Sequence, residues 1–288
     1  MSTPSPVPRL QPSQLLARYD VILLDAYGVL VDANGALPGA AEFLQRLRAP
    51  GRRFMVLSND ASRRPATSVA RFAERGLSIT AENLLTSGDL LAPHFAARGL
   101  HGRRCIVLGP ADSQGLVADA GGTVVPWDDP RPEAVVVCDD DGYPFREAIE
   151  TVLDTLYARL DAGHSVDLVL PNPDLVYPRR PGHFGLTAGS VAQLLEGALA
   201  LRFPDDPPRF TALGKPYPPI FEHALARLGA RRHERVVMVG DQLATDIAGA
   251  RGVGLDAVLI ATGVSDPQRL PSTGPRPTAW MAGLVDDA

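Results

Sequence analysis

LLDAYGVLVD, Leu23 to Asp32, is the stretch on which the reading of this chain turns. The apolar run Val21–Leu24 shows no alternation, so it suits a strand buried on both faces, as parallel sheets require. The run ends on an acid, Asp25, and Gly28 then lets the chain turn. A buried strand that delivers a carboxylate to a glycine turn is a good position for a nucleophile. Tyr27 stands between the two, at a position where many such sites carry a second acid.

Working outward, short apolar runs recur at Phe54–Leu57, Cys105–Leu108, Ala134–Val137, Val166–Leu170, Val236–Val239 and Ala257–Ile260. Apolar residues at helical spacing occupy Ala40–Arg48, Ala66–Arg75, Glu147–Asp161, Ser190–Leu201 and Pro219–Leu228. Strands alternating with helices predict an α/β fold with right-handed crossovers. Thr86-Ser87-Gly88 and the PDDPP stretch from Pro204 to Pro208 bracket a middle segment of roughly a hundred residues, the size of a small domain. The expected organisation is a flexible, proline-rich arm over 1–12, a core domain over 13–89 and 208–288, and an inserted domain over 90–207.

Composition narrows the class. Of 288 residues, 45% are hydrophobic and 21% charged, which is ordinary globular usage. A net charge of −5 provides no basic field for nucleic acid or anionic membranes, so an anionic ligand must be held by local groups. Cys105 and Cys138 each sit beside an apolar run and read as reduced, buried thiols. No apolar run approaches the ~18 residues of a membrane span, and MSTPSPVPRLQPSQ lacks the apolar core of a signal peptide. A soluble cytoplasmic protein is expected.

Three further strand ends carry chemistry. FMVLSND ends in Ser58 and Asn59, a hydroxyl and backbone amides suited to an anionic oxygen, or else to a helix cap. GKP, Gly214 to Pro216, sets Lys215 before a helix, where an ammonium can neutralise a phosphate and a carboxylate together. RVVMVGDQLATDI places Asp241 just beyond a strand and Asp246 five positions later. Two acids above one strand tip repel unless a cation lies between them, and hard oxygen donors point to Mg2+. In an open parallel sheet the carboxyl ends of the strands share one crevice, so Asp25, Ser58, Lys215, Asp241 and Asp246 are expected to face one another.

LLDAYGVLVD, VLSND, GKP and VGDQLATDI, in this order, resemble the four motifs of the haloacid dehalogenase (HAD) superfamily. Asp25 and Ser58 lie close in the chain while a long segment separates Ser58 from Lys215, which resembles the class IIA branch of NagD and p-nitrophenyl phosphatase-like proteins. LLTSGD, the NPD of Asn172 to Asp174 and GKPYPPIFEHAL are also similar to that branch. The resemblance implies a Rossmann-like core with a parallel sheet and an inserted α/β cap. It implies that Asp25 attacks phosphorus to form an aspartyl-phosphate, and that Ser58, Asn59, Gly28 and Lys215 bind the phosphoryl group of a small phosphorylated metabolite. Mg2+ would be held by Asp25, the Tyr27 backbone carbonyl and Asp241, with Asp246 in support. In the cap, Asn172, Asp174, Arg179 and His183 would meet the substrate, and a homodimer through the cap is a family expectation.

Most phosphatases of this kind carry Asp where this chain has Tyr27. That side chain serves as general acid and base, and such catalysis contributes ~10²–10⁴ in rate. Its replacement spares the metal site and threatens proton transfer, most of all for alkyl phosphates with poor leaving groups. Asp32, Asp60, Asp174 and His183 are candidate substitutes. Two other readings follow from Tyr27: a non-enzymatic protein that binds or senses a phosphometabolite, and a haloacid-type dehalogenase, whose halide needs no proton. Three consecutive acids, Asp139 to Asp141, read as solvated loop and helix cap.

Overall fold

The computed structural model describes residues 7–180, 183–231 and 234–287, with backbone alone for 178–180. The chain forms two compact units. One combines the segment up to Ser58 with Ala66–Leu85 and the part from Lys215 onward; the other combines Asn59–Pro65 with Thr86–Gly214.

In chain order, the first unit begins with β1 (Val21–Asp25), β2 (Arg53–Ser58) and the short β3 (Leu84–Thr86). The second supplies β4 (Arg104–Leu108), β5 (Thr123–Val125), β6 (Ala134–Val137), β7 (Asp167–Leu170), β8 (Val176–Arg180), β9 (His183–Leu186) and β10 (Thr211–Ala212). The first unit is then completed by β11 (Val236–Gly240), β12 (Asp256–Ile260) and β13 (Ala279–Met281).

The sheet of the first unit runs β13-β12-β11-β1-β2-β3. β1 pairs in parallel with both β2 and β11, and β12 joins β11 and β13 in the same sense. Every residue of β1 is buried, which explains its unbroken apolar run. The register sets Leu24 opposite Val239 and Asp25 opposite Leu57, so the carboxyl ends of β1, β2 and β11 lie level. Helix Ala40–Leu47 turns Ala40, Phe43, Leu44 and Leu47 inward at helical spacing, onto Ile22, Leu24, Val237 and Val239. Fully buried side chains of this kind each contribute about 1.5–3 kcal/mol by leaving water, so the strand tips rest on a stiff base.

Leu10 N–H donates to the Trp280 carbonyl (2.8 Å) and Trp280 N–H donates to that of Pro8 (3.0 Å). Residues 7–12 thus extend the edge of β13 and lead into helix Pro12–Arg18. Residues 1–6 of the expected arm lie outside the described residues.

The second unit has its own parallel sheet, β10-β7-β6-β4-β5. Helices Phe145–Asp161 and Ala188–Arg202 bury Val152, Leu156, Val191, Leu195 and Leu199 in a core shared with Ile106, Val135 and Leu168. β8 and β9 form a separate antiparallel hairpin. Both units are thus α/β with parallel sheets, as the strand–helix alternation predicts.

Candidate active site

Lys215 and three aspartates converge at the strand tips of the first unit. Lys215 is only 3% exposed. Its Nζ donates to Asp25 Oδ1 (2.6 Å), Asp246 Oδ1 (2.8 Å) and the Leu57 carbonyl (3.3 Å). Asp25 Oδ1 also accepts the N–H of Ala26 at 2.7 Å. Asp246 lies in a π-helical turn, Leu243–Ile247, between β11 and helix Ala248–Gly252. Its Oδ2 accepts the N–H groups of Asp241 and Gln242, both at 3.1 Å. Asp246 therefore pins the turn that presents Asp241 and anchors Lys215 from the side opposite Asp25. A side chain at Gly240 would place Cβ 2.2 Å from Asp246, so only glycine lets β11 end against that carboxylate.

The cluster is electrically unbalanced. Among the described residues, three buried carboxylates face one ammonium, an excess of two formal negative charges. Burial alone would pull the Lys215 ammonium down, but Asp246 and Asp25 outweigh it and hold its pKa well above the usual lysine value. Burial raises Asp25 well above the carboxylate range, aided by Asp246 and Asp241 and opposed by Lys215. Asp241 is pushed up to about 7, by burial first and then by Asp246. These shifts are what burial and crowding of like charges produce, and a cation among the carboxylates would oppose them.

The donor set fits such a cation. Asp25, Asp241 and Asp246 each offer a carboxylate oxygen, all within 4.8 Å of one another. Val264 N–H holds Asp241 Oδ2 at 2.8 Å. Asp241 Oδ1 is buried and has no hydrogen-bond partner among the described residues. An orphaned buried anion oxygen costs several kcal/mol unless something fills the place of water. Among the described residues, no hydrogen bond is donated to the Tyr27 carbonyl either. Oxygen donors alone, with a charge deficit of two, suit a hard divalent ion.

The remaining predicted residues fall in different surroundings. Ser58 closes β2 and is half-buried. Gly28 has φ +77°, and a Cβ there would lie 2.4 Å from Asp241 Oδ2. Its N–H donates to the Val31 carbonyl (2.8 Å), so Gly28 shapes the turn and packs on Asp241. The Tyr27 side chain is 38% exposed. In the second unit, Asn59 donates its side-chain amide to Asp174 Oδ1 (2.9 Å), and Asp174 N–H donates to Asn172 Oδ1 (3.0 Å). His183 is exposed on β9. The side chain of Arg179 lies outside the described residues. Two of the suggested proton donors close local turns: Asp32 accepts from Asn34 N–H and Gly35 N–H, and Asp60 from Ser62 and Arg63.

One set of residues escaped the sequence reading. Beyond β12, Thr262, Gly263, Val264 and Ser265 touch both Gly28 and Asp241. The only signal was position: a loop at the carboxyl end of the strand next to β11.

Comparison with known proteins agrees with this geometry. Residues 22–123 match the haloacid dehalogenase-like hydrolase family, and residues 212–287 match a HAD-hydrolase-like family. The chain is similar to a dihydroxyacetone phosphatase of Corynebacterium glutamicum, 31% identical over 92% of this chain and 89% of that one. It is also similar to the solved structure of a possible sugar phosphatase of the HAD superfamily from Cytophaga hutchinsonii (28% identity, TM-score 0.85), over 98% of this chain and 100% of that one. A glycerol phosphate phosphatase from Mycobacterium tuberculosis, solved in complex with magnesium, is 27% identical with a TM-score of 0.75, over 96% of this chain and 77% of that one. The chain therefore belongs to the haloacid dehalogenase-like hydrolase family, in its class IIA branch. It is a HAD-type hydrolase of the phosphatase class.

Proposed function

We propose that the protein is an Mg2+-dependent phosphohydrolase that works through an aspartyl-phosphate on Asp25. The observation that carries this reading is Lys215 Nζ held between Asp25 and Asp246 beside the partnerless Asp241 Oδ1. Bound Mg2+ supplies charge neutralisation to the phosphoryl oxygens, and Asp25, Asp241 and the Tyr27 carbonyl are the groups to hold it. Lys215 keeps the Asp25 carboxylate oriented and adds positive charge where the phosphoryl group arrives. Ser58, at the tip of β2, is the hydroxyl to hold a phosphoryl oxygen.

The bond changes balance as two displacements. An Asp25 oxygen bonds to phosphorus as the ester oxygen departs and takes up a proton. Water then attacks the same phosphorus, inorganic phosphate leaves, and the Asp25 carboxylate and a proton are restored. Asp246 stays with Lys215 and the Asp241 turn throughout.

The substrate class is that of small phosphate monoesters. The names borne by relatives, dihydroxyacetone phosphatase and D-glycerol 3-phosphate phosphatase among them, point to short polyol and sugar phosphates. With Tyr27 in place of the usual acid, esters with good leaving groups should turn over faster than alkyl ones. A haloacid-type dehalogenase has no use for a cation beside its nucleophile, so the three-acid cluster speaks against that reading.

Phosphate release from p-nitrophenyl phosphate, dihydroxyacetone phosphate and glycerol phosphate, with Mg2+ or with EDTA, tests the proposal. Turnover should require Mg2+ and vanish in Asp25→Asn. Wild type inert on every ester, or Asp25→Asn as active as wild type, would overturn it.

A further inference from the structure

The loop after β12 binds the metal-site residues at five points. Thr262 Oγ1 donates to the Gly28 carbonyl at 2.5 Å. Val264 N–H donates to Asp241 Oδ2 at 2.8 Å, and Ser265 N–H to the Asp241 carbonyl at 2.9 Å. Ser265 Oγ accepts the N–H of Leu243 at 3.1 Å, which ties the loop to the turn bearing Asp246. Gly263 passes so close that a Cβ there would lie 2.0 Å from Asp241 Oδ2.

Two glycine backbones, those of Gly28 and Gly263, thus press close on the Asp241 carboxylate. One oxygen is satisfied by Val264, and the other is buried with no partner among the described residues. A carboxylate free to rotate would exchange its two oxygens, and neither would be presented in a fixed direction. Thr262 joins the two gripping backbones directly, because its hydroxyl bonds the carbonyl of the very glycine that faces Asp241. Its side chain is exposed, so it fills no core and has no packing role to explain its hydroxyl.

We infer that the segment Thr262–Ser265 is a positioning strap for the cation site, and that Thr262 locks it to the Gly28 turn so that Asp241 Oδ1 is aimed at the ion. The inference rests on the metal-site reading of the preceding section and deepens it. Thr262 touches neither substrate nor ion; it acts through Gly28 and Asp241. Residues that orient metal ligands from behind typically govern affinity by ~10–100-fold.

The test is Mn2+ binding by isothermal titration calorimetry to wild type, Thr262→Val, Thr262→Ser and Gly263→Ala, with the metal-free melting temperature of each. Thr262→Val should weaken Mn2+ by ~10-fold, at the lower end of that range because the hydrogen bond is exposed. Thr262→Ser, which keeps the hydroxyl, should restore wild-type affinity. The metal-free melting temperatures of the two Thr262 variants should match wild type, and at saturating Mn2+ the kcat of Thr262→Val should recover. Gly263→Ala, which drives a methyl directly at Asp241 Oδ2, should lose Mn2+ more severely. Unchanged Mn2+ affinity in Thr262→Val overturns the inference while leaving the metal site standing, as does weakened binding that Thr262→Ser fails to rescue. Wild type that binds no Mn2+ overturns the metal site itself, and the strap with it.

Discussion

Lys215 Nζ lies 2.6 Å from Asp25 Oδ1 and only slightly farther, 2.8 Å, from Asp246 Oδ1, so one ammonium links the proposed nucleophile to an acid on a separate strand connection. All three side chains are buried. A buried ion pair adds little net stability when intact, because desolvation offsets the attraction, but breaking it strands a charge. Lys215→Met should therefore cost about 3–5 kcal/mol in urea unfolding of the metal-free protein. Asp25 and Asp246 would remain buried without their counter-charge. Catalysis should fall below detection even under conditions where the variant is fully folded. An unfolding midpoint equal to that of wild type would show that the ammonium is not what holds the two carboxylates in the metal-free protein.

Tyr27→Asp addresses the proton. The Tyr27 side chain is partly exposed, so the exchange leaves the buried cluster intact. General acid–base catalysis contributes ~10²–10⁴, and an alkyl alkoxide needs it more than a nitrophenolate does. Turnover of glycerol phosphate should rise by ~10²-fold or more, while that of p-nitrophenyl phosphate should change far less. Equal effects on both esters would mean that proton transfer is not what Tyr27 limits.

The parts of the site written as strand ends could be read in the sequence. Asp25, Ser58 and Asp241 each close an unbroken apolar run, and parallel strands in register bring such ends level. Asp246 was visible by its short spacing from Asp241, and Lys215 by its place before a helix. Thr262 was not legible, because a threonine in a loop announces nothing until its partner, the Gly28 carbonyl, is in place. Asp32 and Asp60 were ambiguous for a related reason: an acid closing its own local turn has the same composition as an acid facing a substrate. The pairing of the N-terminal segment with Trp280 was not legible either, because it requires only N–H and C=O groups, to which side-chain composition is blind.

Asp139 makes stability depend on pH in the second unit. Burial first, and then Asp140 and Asp60, push its pKa up to about 6, against the Asp140 N–H that favours the charged form. The ordinary value in an unfolded chain is ~3.9. Between the two values the folded protein holds a proton that the unfolded chain has released, so stability falls as pH rises. The contribution is fully present below about 4 and is lost as pH climbs through about 6. Because the group is only part-buried, solvent screening reduces the effect to about 1 kcal/mol. Asp139→Asn, whose amide oxygen still accepts the Asp140 N–H, should flatten this slope and raise stability at pH 7. Unfolding curves from pH 4 to 7 that run parallel for wild type and variant would refute the assignment.

Gly28→Ala tests whether the turn after β1 belongs to the metal site or only to the fold. With φ at +77°, an alanine there carries about 1–2 kcal/mol of backbone strain. Its methyl would also meet Asp241 Oδ2 at 2.4 Å, so the carboxylate must rotate or the turn must shift. Strain alone lowers the melting temperature equally with and without metal. Displacement of Asp241 does more, since it removes the stabilisation that a bound ion confers, about 2.7 kcal/mol when free metal is a hundredfold above Kd. Wild type should therefore melt higher in Mg2+ than in EDTA, and Gly28→Ala should lose most of that gap as well as some baseline stability. A variant that keeps the full Mg2+ shift on a lowered baseline would confine Gly28 to the turn and separate it from the cation.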